Sequence, residues 1–402
     1  MNEFYSEGVM LIYQSDVVEI HRRDKIIHAR FLRPHRVIST CPAAGGVRDD
    51  LEYVYNHQSC EPTKHDTAAS RIMSLSPEQY REETADRFDL PAKKCATLGT
   101  AANMRCAAVA EQTFRDLTVV AVCTGGVETN GGRAGDPATI YETDGRYERI
   151  QGNLPGPGTI NTMLFINRTL TQGALVRSVM MSTEAKTAAL QELSVPSRYS
   201  IGLATGTGTD QIAVATLLGD AHPLRSAGKH SKLGELIGVT VHDAIKETLA
   251  RQNGLTPESR CSMVAHLTRF GATQSTLIEG MTTHLSSDDA ALLKNNFLCL
   301  NHDPLTVAAT TSLVHNFDQL TRRVLPASCA PDILRLGAAQ IAATVSGRFD
   351  AFDRYLSMLS PRKALDNETL VDSICRGAAL GFADKWQPHT KEKEATCREK
   401  VS

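Results

Sequence analysis

The pattern of hydrophobic and polar positions divides the chain into a strand-rich first part and a helix-rich second part. Short apolar and β-branched runs, separated by polar breaks, predict an antiparallel meander with strands at 9–13, 17–21, 26–31 and 37–39. Longer runs of the same kind predict further strands at 117–123, 159–166, 200–204 and 211–217.

Apolar residues that recur every three or four positions predict helices over 175–193 and 233–250. A short helix is expected near 76–85, and the alanine-rich stretch 98–114 has the composition of another helix. Strands and helices mix without strict β-α-β alternation. This predicts an α+β fold with a mixed or antiparallel sheet core packed by helices and an additional, mostly helical C-terminal region.

The character of the chain changes after Gly254, where helical patterns that begin at Asp or Ser dominate. We therefore predict an α+β catalytic domain over 1–253 and a helical C-terminal domain over 254–390. The charged residues 391–402 are expected to form a disordered or frayed tail.

Composition narrows the classes of function. With a formal net charge of −2, the chain shows no sign of a nucleic-acid or anionic-membrane partner. It lacks a run of about 18 apolar residues and a basic start followed by an apolar segment, so neither a membrane span nor a secretory signal is expected. Its ten cysteines include no C-x-x-C pair, which favours reduced structural thiols, a cytoplasmic location and no metal site.

The loop Thr205-Gly-Thr-Gly-Thr-Asp210 carries the strongest candidate chemistry. Its glycines let the backbone approach a ligand closely, and Asp210 adds a carboxylate that can act as a general base. The hydroxyls of Thr207 and Thr209 are candidate binding groups. The plainer alternative is a glycine-rich hairpin whose Asp caps a turn.

A second glycine-rich loop follows the predicted strand 117–123 and carries Glu128, Asn130, Arg133 and Asp136. Polar loops at strand ends are common ligand sites, although a solvated loop has the same composition. Asn161 lies inside an apolar strand, where a buried amide needs either a neighbouring loop or a ligand as its partner.

Three side chains near helices are candidates for proton transfer. Lys186 falls on the apolar stripe of the helix 175–193, so its amine needs a partner or marks a site wall, and Glu184 lies on the flank. His230 precedes Ser231, which is expected to cap the next helix, and has no structural task of its own. The plainer reading of Lys186 is a packed stem with its amine in water.

The segments around Gly45-Gly46 and Asn56-His57 lie where a loop after the first strands can face the same cleft. Taken with Thr124-Gly-Gly-Val, Gly158-Thr-Ile-Asn161, Glu184-Ala-Lys, the 204–210 loop and Lys232-Leu-Gly-Glu, they occur in the order and spacing of a known family. Across residues 36–250 the chain resembles the adenosylcobinamide amidohydrolases of corrinoid salvage. The segment after Gly254 has no counterpart in that resemblance.

The resemblance implies hydrolysis of the amide between the corrinoid ring and aminopropanol in adenosylcobinamide, giving adenosylcobyric acid for coenzyme B12 salvage. The substrate is then a small-molecule corrinoid whose cobalt belongs to the substrate, and no separate cofactor is expected. A homo-oligomer is compatible with this reading. The catalytic candidates are Asp210, Lys186, Glu184 and His230, and the substrate-binding candidates are Gly45, Gly46, Asn56, His57, Glu128, Asn130, Arg133, Asn161, Thr207 and Thr209.

Direct attack by water is favoured over a covalent intermediate, because no hydroxyl or thiol has a recognisable base partner in the sequence. Two alternatives stay open. The chain can be a corrinoid-binding or trafficking module without catalysis, or an enzyme that binds a nucleotide or methyl donor through the Gly/Thr loop.

Overall fold

The computed structural model describes residues 8–59, 75–144, 146–150, 156–362 and 364–386. The chain forms two compact units, Met1–Thr256 and Pro257–Ser402. The predicted tail 391–402 lies outside the described residues. The fold is mixed α and β, as predicted, and the second unit is mostly helical.

The first unit combines short strands with long helices. Its strands are β1 Met10–Gln14, β2 Val18–Arg23, β3 Ile26–Phe31, β4 His35–Ser39, β5 Gly46–Arg48, β6 Tyr53–Gln58, β7 Cys95–Thr100, β8 Ala108–Phe114, β9 Leu117–Gly125, β10 Gly131–Gly132, β11 Ile140–Thr143, β12 Arg146–Arg149, β13 Ile160–Ile166, β14 Gly206–Thr207 and β15 Gln211–Leu217. Its helices are α1 Pro77–Arg87, α2 Gln172–Glu192 and α3 Lys232–Asn253.

Two sheets and a helical layer build this unit. The order is β5-β4-β15-β13-β9-β8 in the six-stranded sheet and β1-β2-β3-β6-β7 in the five-stranded sheet. Successive strand residues point to opposite faces. Leu164 and Val214 therefore share a core with α2 and α3, whereas Met163 and Ala213 share one with the five-stranded sheet. The six-stranded sheet is thus the middle layer.

The crossover through α2 fixes the centre of the middle sheet. β13 and β15 are parallel neighbours with α2 between them in the chain, whereas β13 pairs antiparallel with β9 and β15 antiparallel with β4. Thr171 caps α2 by accepting from the Ala174 N–H, and Ser231 caps α3 by accepting from the Gly234 N–H. The predicted cap at Ser231 is confirmed.

Three local predictions are wrong. The stretch 98–114 is not a helix: it contains the end of β7, a short 3-10 turn at Met104–Cys106 and β8. Alanine has the highest helix propensity, but propensity is a small energy per residue, and pairing of β7 with β6 and of β8 with β9 outweighs it. Residues 200–204 form no strand and make only an isolated bridge at Leu203. The fourth meander strand, β4, leaves the antiparallel set β1-β2-β3 and joins β15 in the other sheet.

The second unit is a bundle of helices around its own apolar core. Its helices are α4 Pro257–Arg260, α5 Met263–Leu267, α6 Gln274–Thr282, α7 Ser287–Asn301, α8 Pro304–Thr321, α9 Ala330–Ser346, α10 Phe352–Met358 and α11 Asn367–Lys385. Leu277, Phe297, Phe317 and Ile341 lie in the centre of that core. In the described part of the chain, no helix combines the length and apolar character that crossing a membrane requires.

Candidate active site

Strand register brings the glycine-rich loops to one edge of the six-stranded sheet. β9 ends at Gly125 opposite Ile160, the first residue of β13, and Asn161 pairs with Gln211, the first residue of β15. The loop that leaves β9 and the loop that enters β15 therefore emerge from neighbouring positions. β10 and β14 then join these two loops as a short antiparallel ladder.

Lys186 and Asp210 form the charged centre of this edge. Nζ of Lys186, on α2, donates to Oδ2 of Asp210, and the two side chains are only 13% and 15% exposed. Oδ1 of Asp210 accepts from the Ile160 N–H at 2.9 Å and from the Thr207 hydroxyl at 2.6 Å. Oδ2 also accepts from the Thr207 N–H at 3.0 Å. Asp210 is thus the partner that Lys186 needs.

Gly206 lies directly against this ion pair. A Cβ atom at this position would lie 2.3 Å from Oδ2 of Asp210 and 2.9 Å from Nζ of Lys186. Such distances are far below van der Waals contact, so only glycine allows β14 to pass this close to the two charges. Thr187, the neighbour of Lys186 on α2, donates to the Thr205 carbonyl at 3.2 Å and holds the helix to the same loop.

The carbonyl of Gly158 joins both loops. It accepts from Nδ2 of Asn130 at 2.8 Å and from the Thr209 hydroxyl at 2.9 Å. The Tyr199 hydroxyl donates to Oδ1 of Asn130 at 2.7 Å, and Asn130 is almost fully buried. The Thr209 N–H donates to the Thr207 hydroxyl at 3.3 Å, and this bond joins Asn130 and Thr209 to Asp210 and Lys186 in one connected network.

Below this network lies a buried layer of amides. Nδ2 of Asn161 donates to Oδ1 of Asn56 and to the Gly99 carbonyl, both at 2.9 Å, and Nδ2 of Asn56 donates to the Thr124 hydroxyl at 2.8 Å. Gln211 accepts from the Gly99 N–H at 2.8 Å. Within the described residues, Oδ1 of Asn161 has no donor. These bonds join the ends of β6 and β7 to the site edge.

His57 does not belong to this layer, although it follows Asn56 in sequence. Adjacent residues of a strand point to opposite faces, so His57 points towards α1. Its Nδ1 lies 2.7 Å from the Tyr80 hydroxyl, and its ring packs edge-on against Phe88. Burial, followed by the positive charges of Arg87 and Lys25, lowers the pKa of His57 to about 4.

Glu184 and His230 also lie apart from the ion pair. Glu184 is two residues from Lys186, so the helical period of α2 turns it to another side, where it pairs with Lys229 at 2.5 Å on the surface. His230 is exposed in the segment just before the cap of α3. Among the described residues, neither side chain forms a hydrogen bond with Asp210 or Lys186.

The turn at Gly45 and Gly46 occupies the same edge of the sheet. Gly46 pairs with Ser39 at the end of β4, and the Thr40 hydroxyl accepts from the Ile212 N–H at 3.0 Å. Gly46 has φ +86, a conformation that favours glycine. This turn therefore lies beside the first residues of β15, which follow Asp210.

The loop after β9 is stabilised by its own carboxylate, Asp136. Asp136 accepts from the Arg133 N–H at 2.7 Å and from the Ser197 hydroxyl at 2.5 Å. Burial alone would raise the pKa of Asp136, but hydrogen bonds from Ser197 and Ser200 hold it below its usual value. The side chains of Arg133 and Glu128 are exposed at the rim of the loop.

Sequence reasoning missed the residues that hold the site together. Tyr199 and Ser197 have ordinary sequence surroundings, whereas Thr159 and Gln211 lie in or next to segments already singled out. Only the packing of distant segments gives these four residues their partners. The available signal was their position next to glycine-rich loops. The described residues hold no group of three or more His, Cys, Asp and Glu side chains arranged to bind a metal ion.

Comparison with known proteins agrees with this architecture. The family model described as adenosylcobinamide amidohydrolase matches residues 11–257, which include all the strands of the first unit except the first residue of β1, and the helices α1, α2 and α3. An uncharacterized protein of Methanocaldococcus jannaschii is 37% identical over 180 residues, which cover 43% of this chain and 70% of that protein. The chain belongs to the adenosylcobinamide amidohydrolase family.

Proposed function

We propose that the first unit hydrolyses the amide between the corrinoid ring and aminopropanol in adenosylcobinamide, giving adenosylcobyric acid for coenzyme B12 salvage. Membership of the family supports an amidohydrolase. The observation that carries the proposal is the convergence of two glycine-rich loops on the Lys186–Asp210 pair at one sheet edge.

The groups at this edge of the six-stranded sheet can supply what amide hydrolysis requires. Resonance makes the amide carbonyl a poor electrophile, so catalysis needs donors for the developing oxyanion and an acid for the leaving amine. The Lys186 ammonium and the backbone N–H groups of the glycine-rich loops are such donors. The partly buried setting strengthens their electrostatic effect, because water screens buried charges poorly.

The rim offers groups for binding a large polar substrate. Glu128 and Arg133 are exposed on the loop after β9, and the Gly45–Gly46 turn lies at the same edge. The cobalt belongs to the corrinoid substrate, and we propose that the reaction uses no separate cofactor. We propose a cytoplasmic enzyme that acts on this free small molecule.

Product analysis tests the proposal directly. Purified protein is incubated with adenosylcobinamide, and mass spectrometry follows aminopropanol and adenosylcobyric acid, with heat-denatured protein as the blank. Release of both products in equal amounts is expected. Binding of the corrinoid without release of aminopropanol would instead support the alternative, a non-catalytic corrinoid-binding or trafficking module.

A further inference from the structure

The acceptor positions of Asp210 are all occupied by donors of the protein itself. A carboxylate has about four lone-pair positions. The Ile160 N–H and the Thr207 hydroxyl take two on Oδ1, while the Thr207 N–H and the Lys186 ammonium take two on Oδ2. A general base needs a free lone pair directed at the water that it deprotonates. Asp210 has none to offer in this arrangement.

The ammonium group of Lys186, in contrast, has more donors than its contacts within the described residues use. An ammonium group has three N–H donors. Within the described part of the chain, Nζ of Lys186 donates to Asp210 alone. Two N–H donors of the ammonium are therefore not used by that contact, and the side chain is 13% exposed. Lys186 is therefore the member of the pair that can contact a reacting amide.

We infer that Lys186 is the catalytic proton donor and that Asp210 is a positioning residue which acts through it. This inference rests on the proposed amide hydrolysis. Asp210 is fixed by three donors besides Lys186, two of them backbone N–H groups. It therefore holds the Lys186 amine in one place, and Gly206 leaves room for the contact.

The proton balance of the step is simple. Water forms the new C–O bond at the amide carbon while the Lys186 ammonium donates a hydrogen bond to the carbonyl oxygen. Lys186 passes one proton to the leaving nitrogen as the C–N bond breaks, and it recovers a proton from the attacking water oxygen. The products are the corrinoid acid and the free amine, and Lys186 ends as it began.

Lys186→Met is the decisive variant, because it leaves Asp210 with three of its four donors. If Asp210 were the base, most of the turnover would survive. We expect kcat to fall about 100-fold or more with a much smaller change in KM, as for the loss of a general acid. Lys186→Arg keeps the charge and is expected to recover at least about tenfold of that loss.

The matched control is Lys246→Met, which removes a lysine from a surface pair with Glu192 at 3.1 Å. It is expected to turn over substrate like the wild type. Asp210→Asn is the second variant and is expected to stay well above Lys186→Met. Hydrogen exchange in β15 shows whether each variant keeps the native fold. If Asp210→Asn does not fold, the comparison of Lys186→Met with Lys186→Arg still tests whether Lys186 is the proton donor.

Two results would overturn the inference. One is Lys186→Met with about a tenth or more of the wild-type kcat. The other is a folded Asp210→Asn that is as inactive as Lys186→Met. Wild-type protein that releases no amine overturns the proposed function and this inference together, whereas an active wild type with an active Lys186→Met overturns this inference only.

Discussion

Replacement of Gly206 by alanine is the sharpest perturbation that the site offers. The added Cβ would lie 2.3 Å from Oδ2 of Asp210 and 2.9 Å from Nζ of Lys186. Ordinary contact begins near 3.4 Å, so the carboxylate oxygen must retreat by about 1 Å. The 3.0 Å bond from the Thr207 N–H and the Lys186 contact are then lost or stretched.

Each hydrogen bond to a charged group contributes about 1.5–3 kcal/mol, so the two losses cost about 3–6 kcal/mol. Replacing glycine by alanine offsets about 0.4–1 kcal/mol of this by restricting the unfolded chain. A net loss of about 2–5 kcal/mol remains. For a unit of roughly 250 residues, this lowers Tm by about 4–20 °C.

Gly208→Ala is the matched control in the same loop. There a Cβ would meet its nearest neighbour, Oδ1 of Asn130, at 3.7 Å, an ordinary contact. Circular dichroism melting gives Tm, and hydrogen exchange shows whether β15 and α2 loosen locally. We expect Gly206→Ala to melt earlier, to lose turnover and to exchange faster there, and Gly208→Ala to match the wild type. Equal melting of Gly206→Ala and wild type, or equal losses in both variants, would refute the steric argument.

Three further predictions concern other contacts. Tyr199→Phe removes the 2.7 Å bond to buried Asn130 and should cost about 1–3 kcal/mol of unfolding free energy in urea titration, and an unchanged value would contradict it. Burial lowers the pKa of His57 to about 4 in the folded protein. Between pH 6.5 and 4, His57 is therefore protonated in the unfolded chain but not in the folded one. Stability should fall by about 3 kcal/mol between pH 6.5 and 4 on this account and level off below. His57→Gln should make the fall smaller by about that amount, while burial of His28 and His35, whose pKa values are also lowered to about 4, keeps part of it. In the second unit, Arg269 donates two hydrogen bonds to Asp318, of 2.9 and 2.7 Å, and the two side chains are only 5% and 10% exposed. Arg269→Met should therefore lower the free energy of unfolding by about 3 kcal/mol, measured by thermal melting. A decrease in Tm of less than about 1 °C would count against this prediction.

The sequence by itself determined which segments form regular structure. The strands at 117–123, 159–166 and 211–217 and the helices over 175–193 and 233–250 follow from apolar runs and helical periodicity, and the structure has an element at each place. These patterns are local, because each depends only on residues that are close together in the sequence. In the alanine-rich stretch 98–114, local helix preference and pairing with neighbouring strands favour different elements, and the sequence predicted the wrong one.

Tertiary structure decided which candidate residues share a site. Lys186 and Asp210 are 24 positions apart, and only the crossover through α2 and the parallel pairing of β13 with β15 bring them together. Glu184 and His57 have equally suggestive sequence neighbours, but the periods of helix and strand turn them away. Strand order and register are set by packing over the whole unit, so no local pattern encodes which distant segments meet.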